Sequence, residues 1–282
     1  SPLLIGMTIV SVGTSAPEII VSLMSALSNV GSLAVGNALG SNIANIGLVL
    51  GITLLISPIR VGRTTAFSDL PLLLATIVLC AVLLSDGVLS TLDALILLGG
   101  LALFLLRMGR HSQRTNQSDI TTDTAQTSTR KALLLFTMGL LLLVGSSRAL
   151  VFGAVNIATA FNVSELVIGL TIVAVGTSLP ELAASLISAI RGHADIAIGA
   201  VIGSNMFNLL VVLSLPGLFG DLLVAPVVVF RDLGTVFITT SILALFSWVT
   251  WDKPSQTARL GRVLGGLFLS SYVLYYALLI MM

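Results

Sequence analysis

The sequence predicts an all-α polytopic membrane protein built as an inverted-topology repeat of five helices each, and three observations carry that expectation. The 282-residue chain is 56% hydrophobic and only 9% charged, with a mean hydropathy of +1.10. Its apolar runs reach the length of about 20 residues that crosses a bilayer as a helix. Its two halves repeat one pattern of polar and helix-breaking residues in a single register.

The composition comes first. A soluble domain carries roughly 25% charged residues, and no soluble core hides this much apolar sequence. Lipid is therefore the solvent for most of the chain. A net charge of +1 excludes the basic footprint of a nucleic-acid binder. The single cysteine, Cys80, forms no intrachain disulfide. The opening Ser1-Pro2-Leu3 lacks the basic start of a cleavable signal peptide. His111 and His193 fall in or beside polar turns, and there is no HExxH motif, so an intramembrane enzyme lacks its usual groups.

Nine spans are expected, at 3–27, 33–56, 69–85, 91–107, 131–155, 164–190, 196–219, 232–251 and 260–281. Between the fourth and fifth lies a polar, Ser/Thr/Gln-rich loop over 108–130. It divides the chain into a first membrane repeat, 1–107, and a second, 131–282. Arg107, Arg110, Arg114, Arg130 and Lys131 flank that loop, which the positive-inside rule assigns to the cytoplasm. Counting outward places Arg60, Arg63, Arg191, Lys253, Arg259 and Arg262 on the same side, with Arg231 as the main exception. The chain reads as a multi-pass plasma-membrane protein, in the inner membrane if bacterial.

The repeat is specific. Ile5 to Glu18 aligns with Ile168 to Glu181 and differs only at Met7/Leu170, Ser11/Ala174 and Ala16/Leu179. Without a gap, the register continues from Gly36–Asn45 onto Gly199–Asn208. The identities concentrate in polar and breaker residues, which chance similarity between apolar stretches does not produce. Five spans separate the copies. That odd number makes them enter the membrane from opposite sides, the plan of many secondary transporters with a midplane site. The register also pairs Ser1 with Ser164, so a further span is expected before Ser1, giving ten.

Glu18 and Glu181 sit midway along apolar helices, where a charge costs roughly 2.5–3.5 kcal/mol on insertion scales and marks function by default. Pro17 and Pro180 lack an N–H and free a carbonyl one turn back, while Gly13 and Gly176 ease the bend. Thr14 shares a face with Glu18, four residues on, and Thr177 with Glu181. A hydroxyl, a carboxylate and loosened carbonyls pointing one way are hard oxygen ligands, suited to Ca²⁺, Na⁺ or Mg²⁺. Ser41 and Asn45 are four apart in the next helix, as are Ser204 and Asn208; their amides read as ion ligands over helix–helix bonds. Gly36, Gly40, Gly199 and Gly203 read as close-packing faces. Asn42 and Asn205 point elsewhere and read as supports standing behind the ligands or as structural. Asp69, Asp93, Glu165 and Asp232 lie near span ends, where solvation is the default. Arg148 is the one basic residue well inside a span and cannot neutralise both glutamates.

The doubled Gly-Thr-Ser-x-Pro-Glu and Gly-x-x-x-Gly-Ser-Asn-x-x-Asn motifs resemble the alpha-repeats of the calcium/cation antiporter superfamily, most closely its prokaryotic sodium/calcium exchanger branch. The resemblance covers essentially the whole chain. It implies transported Ca²⁺ and Na⁺, no other cofactor, and alternating access. It also implies a ligand set of Thr14, Ser15, Glu18, Ser41 and Asn45 from one repeat and Thr177, Ser178, Glu181, Ser204 and Asn208 from the other, with carbonyls near Ser11 and Ala174 completing Na⁺ sites. Asn208 stands where some prokaryotic members carry Asp, leaving two carboxylates. The expected function is Ca²⁺/Na⁺ exchange. Ca²⁺/H⁺ or other cation/H⁺ antiport on the same scaffold is the alternative, and a cation channel a more distant one. The expected partners are the bilayer, Ca²⁺, Na⁺ and, in the alternative, H⁺, with no nucleic acid and no obligate protein partner.

Overall fold

The computed structural model describes residue 7 and residues 10–114 and 129–281. Each expected apolar run forms a helix or a broken helix pair. The first half gives Ser11–Thr14 with Ala16–Leu27, then Gly31–Ile56, Thr65–Asp86 and Thr91–Arg114. The second gives Thr129–Phe161, then Glu165–Thr177 bent against Leu179–Ile190, then Ala194–Leu218, Val228–Val249 and Arg262–Met281.

Three boundaries depart from expectation. The spans expected from 69 and 232 start earlier, at Thr65 and Val228. Asp69 and Asp232 read as span ends because isolated carboxylates are costly in an apolar setting. Here each has a partner and the helix runs through it: Arg107 lies 3.3 Å from Asp69, and Arg231 lies 2.6 Å from Asp232. The polar segment expected over 108–130 is shorter, because the preceding helix runs on to Arg114 and the next begins at Thr129. Arg107, Met108, Arg110 and Gln113 are good helix formers, and polarity alone does not stop a helix. Residues 115–128 lie outside the described residues.

The helices are not equivalent. In Gly31–Ile56 and Ala194–Leu218, 78% and 89% of the most apolar window is buried, against 22% in Thr91–Arg110. The first two are therefore the central pillars, and Thr91–Arg110 is a lipid-facing wall. Both pillars open into a π-helical turn at their conserved-register asparagine, Asn45–Leu50 and Asn208–Val212. A matching pair of π turns opens the next span in each half, Thr65–Asp69 and Val228–Leu233. The repeat thus extends to local helix geometry.

Each pillar packs against the broken helix of the other half. A Cβ on Gly36 would lie 3.0 Å from Gly169 Cα and 2.9 Å from Leu170 N, and one on Gly169 would lie 2.5 Å from Leu33 O. One on Gly40 would meet Leu170 O at 2.6 Å. Across the pseudo-two-fold, one on Gly203 would lie 2.8 Å from Met7 O. Only glycine lets backbones approach this closely, the packing role expected for Gly36, Gly40 and Gly203; Gly169 adds a position not anticipated from the sequence.

Two small antiparallel sheets, not anticipated from the sequence, tie the span ends together. Ile59–Gly62, Thr257–Leu260 and Trp251–Asp252 form one, and Val88–Leu89 with Leu222–Leu223 the other. The first joins the two halves through loops far apart in sequence, so no local signal announces it.

Gly36→Ala places a methyl against unyielding backbone. Overpacking costs typically about 1–3 kcal/mol, and the expected result is a lowered unfolding temperature in detergent. Gly99→Ala, with open space around its Cβ, is expected to leave it unchanged or raise it slightly.

Candidate functional site

Each candidate carboxylate stands in the first turn of a helix that restarts after a break. Ser15 (φ −82°, ψ 2°) and Ser178 (φ −83°, ψ 0°) leave helical geometry. Pro17 and Pro180 follow in the next first turn, where a missing N–H is tolerated. The second-half pair is bent by 41° at this point. Gly13 and Gly176 precede the breaks, and nothing lies within 4 Å of a Cβ built on either. The break therefore delivers Glu18 and Glu181 to the positive end of a helix dipole, which favours a carboxylate there.

The surroundings are polar and closed. Glu18, Glu181, Ser15, Ser41, Asn45, Ser204 and Asn208 are all 0% exposed, Ser178 is 1% and Thr177 3%, while Thr14 is half-buried. The halves interleave. Glu181 Oε1 accepts from Ser204 Oγ of its own half at 3.4 Å and from Ser15 Oγ of the other at 3.2 Å. Thr14 also lies beside Glu181, and Thr177 beside Glu18. Ser41 Oγ and Thr177 Oγ1 are 3.3 Å apart across the halves. Glu181 is hydrogen-bonded to Ser15, three residues before Glu18 on the other half, so the two carboxyl groups flank one interface. Asn208 and Ser178 are buried without a side-chain hydrogen bond, so the structure brings them to the interior but ties them to no other candidate ligand.

No counter-charge faces this pair among the described residues. The two ion pairs there are Arg107–Asp69 and Arg231–Asp232. No third carboxylate, imidazole or thiol joins the glutamates to make a metal-binding cluster among those residues. The side chain of Arg148 lies outside them. Both carboxylate oxygens of Glu18, Oε2 of Glu181, Oδ1 of Asn45, Oδ1 of Asn208 and Oγ of Ser178 are buried without a hydrogen-bond partner. Buried polar atoms are nearly always partnered, and such a concentration needs a reason.

Asn205 fits its reading as a support behind the ligands: its Oδ1 accepts a hydrogen bond from Asn45 Nδ2 at 3.1 Å, across the halves. Asn42 does point elsewhere, donating to Ala38 O on its own helix at 2.7 Å. Some expectations are corrected. Asp69, Asp93 and Asp232, expected to be solvated, are 6%, 9% and 0% exposed. Asp93 accepts from Ser90 N at 2.8 Å, and Asp232 accepts from Tyr275 Oη at 2.7 Å. Glu165 is half-buried and accepts from Ser32 Oγ at 2.8 Å.

Asn37 is a residue that motif reasoning missed. Its Nδ2 donates to Glu18 O at 3.2 Å and Ser22 Oγ at 3.1 Å, and its Oδ1 accepts from Thr177 Oγ1 at 3.2 Å. It holds the Glu18 helix of one half to the Thr177 hydroxyl of the other. The repeat register aligns Asn37 with Ala200, and that polar-for-apolar mismatch is the signal that could have found it.

Thr177 and Thr14 are thus unequal despite identical motifs. Thr177 is held by Asn37 and Ser41, whereas the hydroxyl of Thr14 reaches Ser11 O of its own helix at 3.4 Å. Thr177→Val keeps the shape and removes those bonds, leaving Asn37 Oδ1 buried and unpaired. The expected destabilisation is about 1–3 kcal/mol, read by thermal unfolding in detergent, with a markedly smaller effect from Thr14→Val.

Comparisons with known proteins agree with this architecture. A family model described as sodium/calcium exchanger protein matches residues 1–109 and 131–281. Putative antiporter CaxA of Alkalimonas amylolytica is 42% identical over 99% of the chain and 88% of that relative. Inner membrane protein YrbG of Escherichia coli is 38% identical over 99% of the chain and 86% of that relative. The solved structure of the sodium-calcium exchanger NCX_Mj, soaked with Na⁺ and Sr²⁺, superposes with a TM-score of 0.74 at 33% identity, covering 98% of the chain and 87% of that structure. With the doubled motif, the inverted halves and the buried carboxylate pair on the same chain, the protein belongs to the sodium/calcium exchanger family of membrane antiporters, a family of transporters rather than enzymes.

Proposed function

We propose that the chain exchanges Ca²⁺ for Na⁺ across the membrane by alternating access, at a midplane site formed by Thr14, Ser15, Glu18, Ser41 and Asn45 with Thr177, Ser178, Glu181, Ser204 and Asn208. The observation that carries this reading is the set of buried, unpartnered oxygens contributed by both halves around two carboxylates that have no counter-charge among the described residues. Ca²⁺ takes six to eight oxygen ligands, and flexible carboxylate, amide and hydroxyl oxygens suit it. Nitrogen and sulfur ligands, which would favour a softer metal, are absent from the set.

Charge balance supplies the coupling. Two carboxylates match one Ca²⁺ or two Na⁺, and a site that has left its charges bare in low dielectric is unfavourable. Ca²⁺ and Na⁺ then compete for the same oxygens, so the halves rearrange with one load or the other. Asn208 supplies an amide oxygen without charge, which keeps the site at two negative charges. The Asn205 bond to Asn45 Nδ2 holds that amide with its oxygen free.

Uptake of radiolabelled Ca²⁺ into proteoliposomes should follow an imposed outward Na⁺ gradient. Uptake that ignores Na⁺ and follows a pH gradient would make the protein a cation/H⁺ antiporter instead. Glu18→Gln should lower Ca²⁺ uptake by about two orders of magnitude, equivalent to roughly 3 kcal/mol, while the variant inserts and folds with an unfolding temperature no lower than that of the native chain.

A further inference from the structure

The geometry points to a binding site for an anionic phospholipid headgroup on the three-stranded sheet, centred on Arg60 and Arg259. These two arginines are directly opposed partners in the antiparallel register of Ile59–Gly62 and Thr257–Leu260. Both are exposed, while their neighbours Ile59, Val61, Ala258 and Leu260 are buried on the other face. Like charges directly opposite one another on one face of a sheet destabilise it. The positive-inside rule asks only that basic residues lie on one side of the membrane; it does not ask that two be brought into register.

Among the described residues, no carboxylate offsets that repulsion, since neither arginine has one within ion-pair distance. Asp252 is the one acidic residue of the sheet and its flanks, against Arg60, Arg63, Lys253, Arg259 and Arg262. It is paired in register with Thr257 rather than Arg259, and its Oδ2 accepts from Ser255 N at 3.3 Å. Arg262 is exposed, and its Nε donates to Leu55 O at 3.0 Å.

Position indicates which anion would fit. Four spans end or begin at this sheet: Gly31–Ile56, Thr65–Asp86, Val228–Val249 and Arg262–Leu279. The sheet therefore lies where apolar helix gives way to water, at headgroup depth. Exposed Ile56, Phe67, Val249 and Val263 rim it with apolar surface for acyl chains. Two guanidinium groups side by side match a phosphate diester, which accepts paired N–H bonds from arginine. Juxtamembrane basic clusters attract anionic lipid in the same way. A bound headgroup would turn a repulsive pair into a bridged one and tie the first half to the second. This inference stands apart from which ions the protein exchanges.

Native mass spectrometry of the purified chain tests it, with phosphatidylglycerol and phosphatidylcholine as probes. The native chain should retain phosphatidylglycerol in preference, and phosphatidylglycerol should raise its unfolding temperature. Arg60→Gln combined with Arg259→Gln should cut phosphatidylglycerol occupancy by about tenfold or more and abolish the thermal shift. Arg110→Gln combined with Arg191→Gln, an equal loss of charge elsewhere, should change neither. Equal retention of phosphatidylcholine, equal losses from the two double variants, or undiminished occupancy after the first would overturn the proposal. Displacement of phosphatidylglycerol by millimolar inorganic phosphate would also overturn it, in favour of a free-anion site. If the first double variant does not fold, Arg259→Gln alone carries the test, with a smaller loss expected.

Discussion

Two carboxyl groups buried inside a bilayer, one from each half and linked through the Ser15–Glu181 bond, dominate the design of this protein. Glu18 and Glu181 are fully buried, one from each half, and face no basic side chain among the described residues. Burying a carboxylate is unfavourable by several kcal/mol, and bringing a second beside it adds repulsion. The surroundings meet that constraint in stages. Each helix breaks so that its glutamate sits at a helix N-terminus. Ser15 and Ser204 donate to Glu181 Oε1, and the other three carboxylate oxygens of the pair have no hydrogen-bond partner. Neither half makes this arrangement alone, because Glu181 takes hydroxyl donors from both.

That requirement sets the distance between the halves. A carboxylate on one broken helix meets hydroxyls on the other only if the pillars press closely against both. The glycines at 36, 40, 169 and 203 bring backbones to distances that a methyl group would forbid. In a membrane, close van der Waals packing substitutes for the hydrophobic effect between helices. The almost wholly buried pillars and the exposed outer walls follow from the same demand. The π turns that begin at Asn45 and Asn208 widen each pillar beside the candidate ligands, a feature that recurs at functional sites.

The sequence made the repeat, the spans and the candidate carboxylates legible for one physical reason. In lipid a polar residue without a task is costly, so the polar residues themselves spell out the architecture. Legibility failed where the partner comes from far along the chain. Asn205 lies off the face shared by Ser204 and Asn208, yet its partner is Asn45 of the other half. Asn37 belongs to no motif because its task, joining Thr177 to the Glu18 helix, crosses the repeats. Asp69 and Asp232 were read as span ends because spacing shows the charge but not the arginine that neutralises it. The short sheets were invisible because their strands meet only after the spans have packed.

The mismatches between the halves carry information that the matches do not. Ser11 and Asn37 occupy positions where the other half has Ala174 and Ala200. Ser11 Oγ donates to Ala200 O at 3.0 Å across one cross-repeat interface, beside the Ser15–Glu181 bond. In the opposite interface Asn37 joins two helices and a candidate ligand at once. The two interfaces are therefore unequally tied, although their glycines and motifs are alike. With identical halves, any two arrangements related by exchanging the roles of the halves would have equal energy. Because these halves differ at the contacts that hold Thr177 and leave Thr14 less restrained, the energies are unequal. Asn37 is the clearest contact that distinguishes the two interfaces, and two arrangements differ in population only to the extent that such contacts distinguish them.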